Sequence, residues 1–449
     1  MTATQAAAWL AIPAGHPFGL DTLPYGSFTT ADRPAERRAG VAIGDHVLDL
    51  SAATARLLPG RAHLFSAGKL DAFLAAGDRA WAQVRADLVS WLSGDKYRVA
   101  IEDLLVPVSA AQLHLPFTVA DYVDFYASEH HATNIGRIFR PDAAEPLTPN
   151  WRHLPIGYHG RAGTVMVSGT PVRRPCGQSR PSGGAGPSGS AGPSGGARSS
   201  GAGPSGRGAS GGSPSGSGPS GGKPGFGPSA RLDFEAELGF VVGAPSHPGE
   251  PVPASRFTEH VFGVCLVNDW SARDIQSWEY VPLGPFLSKS FGTTVSPWVV
   301  PLAALEHARV RPPSRGTELL PYLTESADWG LDIDYEVRIN GHVVSRPPYA
   351  TMHWSPAQML AHLTVNGAAL RTGDLYASGT VSGSRPDQRG SLIELAWNGQ
   401  QPILLPDGTD RAWLHDGDEV VIAATARGPG ETRIGLGEAR GQVVPALLS

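Results

Sequence analysis

The sequence predicts a mostly β fold with some helix, of the α+β class, and three observations carry that expectation. Apolar runs of strand length recur at residues 164–174, 232–242, 261–268, 331–339, 390–397 and 419–424, separated by stretches containing Gly and Pro, which is how strands are punctuated. Helical periodicity is sparse by comparison, confined to residues 71–93, 271–280 and 355–364, so the strands set the architecture as a roll or barrel with a few helices. The chain is 449 residues long and 41% hydrophobic, enough for two units that each bury a core.

Taken in order, residues 1–115 form the first unit. The run GVAIGDHVLDL at 40–50 holds Gly44-Asp45 as turn chemistry inside it. A helix follows at about 71–93, where Ala, Leu and Trp recur every three or four residues. Residues 106–116 read as an extended connector, which places the unit boundary near 115 and gives 116–449 to the second, larger unit. Residues 181–228 interrupt that unit. They are built almost wholly of Gly, Pro, Ser and Ala, with Phe226 as their one large apolar residue. Such a stretch buries too little surface to offset its ordering entropy, so disorder is expected. Because 164–174 and 232–242 both look like strands of one sheet, it is expected to be a surface insertion within one domain.

The formal charge of −5 argues against a nucleic-acid binder, which would carry a basic patch. No apolar run approaches the ~20 residues that span a bilayer, and Met1 to Leu10 lack the basic start of a signal peptide. Cys176 and Cys265 are the two cysteines and form no metal-type cluster. A reduced, cytoplasmic protein is expected.

The sharpest chemical signal is LDFEAELGF at 232–240. Acidic and apolar residues alternate, so Asp233, Glu235 and Glu237 share one strand face, ~6.6 Å apart in succession, and Leu232, Phe234, Leu238 and Phe240 share the other. Neighbouring carboxylates at that spacing suit a bridging divalent cation or a solvated face. The run VFGVCLVNDW at 261–270 reads as a buried strand ending at Asp269. Ser271 and Asp274 then resemble a capping box, opening a helix with Arg273, Gln276 and Tyr280 on one face. That stripe suits either a polar pocket or a solvent face. Lys289 stands out because lysine occurs only at Lys69, Lys96, Lys223 and Lys289 in a chain whose other cations are arginine, so a compact ammonium is expected to matter there. Upstream, Asp124, Tyr126, His130 and His131 crowd acid, phenol and imidazole together, which suits a general base. Arg140, Tyr158 and His159 follow.

Together these segments resemble the fumarylacetoacetase family, from end to end apart from the insertion. The motifs carrying the resemblance are DFY at 124–126, HATN at 131–134, LPIGYHG at 154–160, NDWSARDIQ at 268–276, WEYVPLG at 278–284, ASGT at 377–380 and SLIE at 391–394. The resemblance implies a small N-terminal SH3-like β-barrel, a larger mixed β-roll, a homodimer, and hydrolysis of a carbon–carbon bond in a small diketo acid at the last step of tyrosine breakdown. By the family pattern Asp124, Glu235, Glu237 and Asp269 match Ca²⁺ ligands, while Asp269, Lys289 and Thr293 line a second, Mg²⁺-type position. Tyr126, Arg140, Tyr158, Gln276, Tyr280 and Thr380 match substrate contacts. His131 matches the general base and Glu394 its orienting carboxylate, and Arg273, Gln276 and Lys289 polarise the carbonyl. All-oxygen ligands favour Ca²⁺, Mg²⁺ or Mn²⁺ over zinc. The competing readings are a keto-acid decarboxylase, hydratase or isomerase on the same scaffold, whose members typically lack the N-terminal barrel and WEYVPLG, and a non-catalytic scaffold.

Overall fold

A central sheet of eight strands organises the molecule, and it is buried on both faces. The computed structural model describes residues 6–180, 223–324 and 327–447. Across the sheet lie Gly157–His159, Tyr122–Phe125, Leu375–Ala377, Ala236–Val242, Val261–Asp269, Thr293–Val295 and Val165–Val167, with Val300–Pro301 also paired to Val261–Asp269. Side chains alternate along these strands. Leu238, Phe240, Val264 and Leu266 enter one core, whereas Val241, Cys265, Val267 and Leu375 enter another. The first core is shared with a five-stranded sheet whose longest members are Ile333–Ile339, Glu419–Arg427 and Arg433–Val444. The fold is the sheet-dominated α+β arrangement the sequence predicts.

The N-terminal part is β-rich: Leu105–Pro107, His46–Asp49, Arg33–Ile43, Tyr25–Thr30 and Ala111–His114 form an antiparallel sheet in that order. Gly44, at φ +55°, makes the turn between the second and third of these, where the sequence places it. Its core is continuous with the central sheet. Tyr25, Phe73 and Trp81 all pack on Phe262, with ring centroids 5.3, 5.3 and 5.4 Å away, and aromatic pairs of this kind contribute ~0.5–1.5 kcal/mol each beyond their burial.

Several elements differ from the sequence reading. The expected helix at 71–93 is two, Asp71–Ala75 and Asp78–Leu92, parted by Gly77 at φ +80°. The connector at 106–116 contributes both outer strands of the N-terminal sheet. Residues 390–397 are no strand: Ser391 precedes a short helix, Leu392–Leu395, because the amide of Leu392 is captured by Asp233 (2.7 Å). The expected capping box at Ser271 is absent, since Ser271 belongs to a two-residue strand and its hydroxyl turns to Glu235 (3.1 Å). Of the expected insertion, residues 181–222 lie outside the described residues, and Gly225–Pro228 forms a strand against Cys176–Ser179. The helix expected at 355–364 is present as Pro356–Thr364, with a capping box between Ser355 and Gln358.

Candidate active site

The strand order of the central sheet gathers three carboxylates from three sequence regions. Asp124 lies on Tyr122–Phe125, Glu237 on Ala236–Val242 and Asp269 at the end of Val261–Asp269, and one oxygen from each lies within 4.8 Å of the other two. All three are buried. Among the described residues, Oδ1 of Asp124 and both carboxylate oxygens of Glu237 have no hydrogen-bond partner. Burial, and then the like charge of Asp269 and its neighbours, pushes Asp124 well above the ordinary carboxylate range. Glu237 is pushed up for the same reasons, with Asp124 its strongest neighbour. A buried carboxylate with unfilled oxygens costs several kcal/mol unless a cation neutralises it. The oxygen-only donor set and the orphaned atoms therefore fit a hard divalent metal.

Glu235, on the same strand face, is fully engaged. Arg273 Nη2 donates to its Oε1 (2.7 Å), Ser271 donates to its Oε2 (3.1 Å), and the Lys289 ammonium pairs with that same oxygen. Burial alone would raise this carboxyl, but the charges of Arg273 and Lys289 carry it well below its ordinary range. Lys289 also donates to Asp269 (2.5 Å). An ammonium has donors and no acceptor, so Lys289 lines the cluster as a charge and is no ligand. Arg273 further donates to Asp233 (2.7 Å) and to Oε1 of Gln276 (3.0 Å). The last bond orients the Gln276 amide, leaving its NH₂ group free to donate.

His131 sits beside this cluster on the helix Glu129–Phe139, whose first turn is capped by Ser128 accepting from the His131 amide (3.2 Å). Its Nδ1 lies 2.7 Å from Glu394 and its Nε2 lies 3.7 Å from Glu235. Glu394 also accepts from Asn134 (2.8 Å), Ser382 (3.0 Å) and Ser391 (2.7 Å). Burial would raise Glu394, yet the contact with His131 and these bonds hold it below its ordinary range. An ionised carboxylate accepts only, so the ring proton is assigned to Nδ1 and the Nε2 lone pair is free to take a proton.

Of the remaining expected residues, Tyr158 donates to Asp269 (2.9 Å) and Thr293 donates to the other oxygen of Asp269 (3.3 Å). Tyr126 sets its ring edge-on to His131 with centroids 5.3 Å apart, and Thr380 is buried. Two stand further out. Tyr280 caps the end of the helix Arg273–Glu279 and is exposed, and Arg140 is exposed with its guanidinium on the Pro146 carbonyl (2.6 Å). The stripe of Arg273, Gln276 and Tyr280 thus runs from buried to exposed. The sequence reading gave no role to Asn134, Ser382 or Ser391, and it set Asp233 on the acidic face and Ser271 at a helix cap without their partners Arg273 and Glu235. Asn134 was within reach, since it stands three residues after His131 on one helix face. Ser391 was within reach too, three residues before its partner Glu394, whereas Asp233 and Ser271 answer to partners 40 and 36 residues away.

A buried acidic cluster with orphaned oxygens, beside a histidine with one nitrogen tied to a carboxylate, is an arrangement suited to metal-assisted acid–base chemistry. The model of the fumarylacetoacetase N-terminal domain matches residues 21–116, and that of the fumarylacetoacetate hydrolase C-terminal domain matches residues 213–444. The chain is 43% identical over 445 residues to a fumarylacetoacetase of Rattus norvegicus, covering 96% of this chain and 97% of that one. It is 42% identical to a fumarylacetoacetase of Homo sapiens, covering 96% and 97%, and 41% identical to one of Arabidopsis thaliana, covering 96% of each. A solved fumarylacetoacetate hydrolase from Exiguobacterium antarcticum shares the fold, with a TM-score of 0.51 at 16% identity over 94% of this chain and 99% of that one. The chain belongs to the fumarylacetoacetase family.

Proposed function

We propose that this chain hydrolyses the carbon–carbon bond of 4-fumarylacetoacetate, giving fumarate and acetoacetate at the close of tyrosine and phenylalanine breakdown. The observation that carries the reading is the His131–Glu394 contact of 2.7 Å at the edge of a buried acidic cluster, in a chain about 40% identical to fumarylacetoacetases over nearly its whole length. His131 Nε2 takes a proton from water while Glu394 steadies the imidazolium. The water oxygen bonds to the keto carbon of the fumaryl group, and Arg273, Gln276 and Lys289 supply donors and positive charge to the oxyanion. The bond to the neighbouring methylene then breaks, its electron pair leaves as the enolate of acetoacetate, and a proton returned from the site completes that product. Asp124, Glu235, Glu237 and Asp269 would hold Ca²⁺, with Mg²⁺ toward Thr293. Such a cation, when bound, supplies Lewis-acid stabilisation of diketone and enolate oxygens. Tyr126, Arg140, Tyr158, Tyr280 and Thr380 surround the substrate, Arg140 as partner of a terminal carboxylate.

A homodimer is supported by the exposed apolar side chains of Trp278, Val281, Leu283, Phe286 and Leu287, a patch of the kind that marks protein interfaces. A reducing, cytoplasmic setting is supported by two unpaired cysteines. Among the described residues, no helix is long and apolar enough to cross a membrane. The test is the loss of fumarylacetoacetate absorbance together with the appearance of fumarate. Loss of substrate absorbance with an isomerised or decarboxylated product, and no fumarate, would overturn the proposal.

A further inference from the structure

The segment that delivers Lys289 is fastened to both ends of the helix that carries Arg273 and Gln276. Ser288 is the fastening point. Its carbonyl accepts from the Ala272 amide (3.0 Å), directly before the helix Arg273–Glu279. Its own amide (2.9 Å) and hydroxyl (2.6 Å) donate to Oε1 of Glu279, at the helix end. The amides of Phe286 (2.8 Å) and Leu287 (3.1 Å) donate to the same carboxylate. A glutamate at a helix C-terminus meets the negative end of the helix dipole, and four charge-assisted bonds offset that cost. Within this chain the span has little other anchoring on its outer side, since Val281, Leu283, Phe286 and Leu287 are all exposed. Ser288 by contrast is fully buried, and Lys289 follows it with its ammonium between Glu235 and Asp269.

We propose that Glu279 is a positioning residue of this enzyme: by gathering the amides of Phe286, Leu287 and Ser288 it fixes where the chain re-enters the site, and it acts on turnover through Lys289. This rests on the reading of the site given above. The helix holding Arg273 and Gln276 and the strand that begins at Thr293 are thereby set in one frame with the ammonium between them.

The test compares wild type, Glu279→Ala, Glu279→Gln, Ser288→Ala, Lys289→Met and the Glu279→Ala/Lys289→Met double variant, all as full-length protein. Two readouts are used: steady-state turnover of fumarylacetoacetate, and labelling of lysines by an amine-reactive reagent mapped by mass spectrometry. Lys96 and Lys223 are exposed and serve as internal references. Since a misplacement of about 1 Å costs up to about a hundredfold, Glu279→Ala is expected to lower kcat by about 10- to 100-fold with KM within about threefold. Lys289 labelling should rise several-fold, and Glu279→Gln should fall between. Groups acting as one unit are non-additive, so the double variant should be within about twofold of Lys289→Met. Near-normal kcat with Lys289 still protected in Glu279→Ala, or losses that multiply in the double variant, would overturn the proposal. If Glu279→Ala does not fold, Glu279→Gln and Ser288→Ala decide it, and unchanged kcat and labelling in both would overturn it. A wild-type protein inactive on fumarylacetoacetate would overturn the substrate reading alone, because the labelling comparison tests Glu279 independently.

Discussion

Glu235 and Glu237 stand two residues apart on one strand face, with the same functional group and the same burial, and they live in opposite electrostatic worlds. Glu235 is met by Arg273, Lys289 and Ser271 and is held well below the usual carboxylate range. Glu237 has no partner on either oxygen among the described residues and is driven up by burial, Asp124 and Asp269. One carboxylate has its counter-charge built in, whereas the other leaves a place for a cation from outside. The built-in charges of Arg273 and Lys289 therefore meet one end of the site, and the need for the cation that Glu235 would share is greatest at the other.

The largest effect expected concerns the residue beside the compensated end. His131→Ala should cut turnover by ~10²–10⁴-fold with fold and metal content kept, while the neighbouring His130→Ala is near neutral. Glu394→Gln should lower turnover as well, and less than additively with His131→Ala. A crippling His130→Ala, or fully additive losses, would show that His131 and Glu394 do not work as a pair.

The comparison itself is broken by neutralising each glutamate in turn. Glu235→Gln strands Arg273 and Lys289 with less buried counter-charge. It should destabilise the metal-free protein by about 3 kcal/mol, the lower end of the cost of breaking a buried pair, because Asp233 and Asp269 remain. Glu237→Gln removes like-charge repulsion, so in chelator it should be neutral or more stable by ~1 kcal/mol, yet bind divalent cation far more weakly. Denaturation in chelator and calorimetric titration with Ca²⁺ or Mg²⁺ measure both. Equal destabilisation by the two variants would erase the distinction.

A smaller effect should appear beneath the His131 helix. His353 lies between Trp151 and Trp354, 4.9 and 5.0 Å from their rings. Burial, with help from Arg315, pulls its imidazole down to about 4. The folded state then binds fewer protons than the unfolded one between about pH 6.5 and 4. The stabilisation is complete above about 6.5 and is lost as pH falls through that window, amounting to about 1–3 kcal/mol. A melting-temperature profile should therefore fall on the acid side, and His353→Phe should flatten it. An unchanged slope would refute the assignment. Smallest of all, replacing residues 181–222 by a short Gly/Ser connector should shift stability by no more than ~0.5 kcal/mol and leave turnover intact, since Ser179 and Gly225 are already paired across its ends.

What the sequence determined by itself is what acts over a few residues. Alternation put Glu235 and Glu237 on one face, Ser355 and Gln358 met as a capping box, and Gly44 made its turn. Family motifs marked Asp124, His131, Asp269 and Glu394 in advance, and the scarcity of lysine singled out Lys289. Tertiary structure alone decided which charge each of them meets. His131 and Glu394 are 263 residues apart, Asn134 and Glu394 260, and Arg273 and Glu235 38. The packing of three helices around the central sheet brings them together, and no local periodicity encodes that packing. The errors have the same cause: residues 390–397 are locally a good strand, but Asp233 captures the Leu392 amide and turns them into a helix. Ser271 is locally a good cap, but a buried glutamate claims its hydroxyl. A buried charge must find a partner wherever the fold supplies one, and that requirement overrides propensities worth only fractions of a kcal/mol per residue.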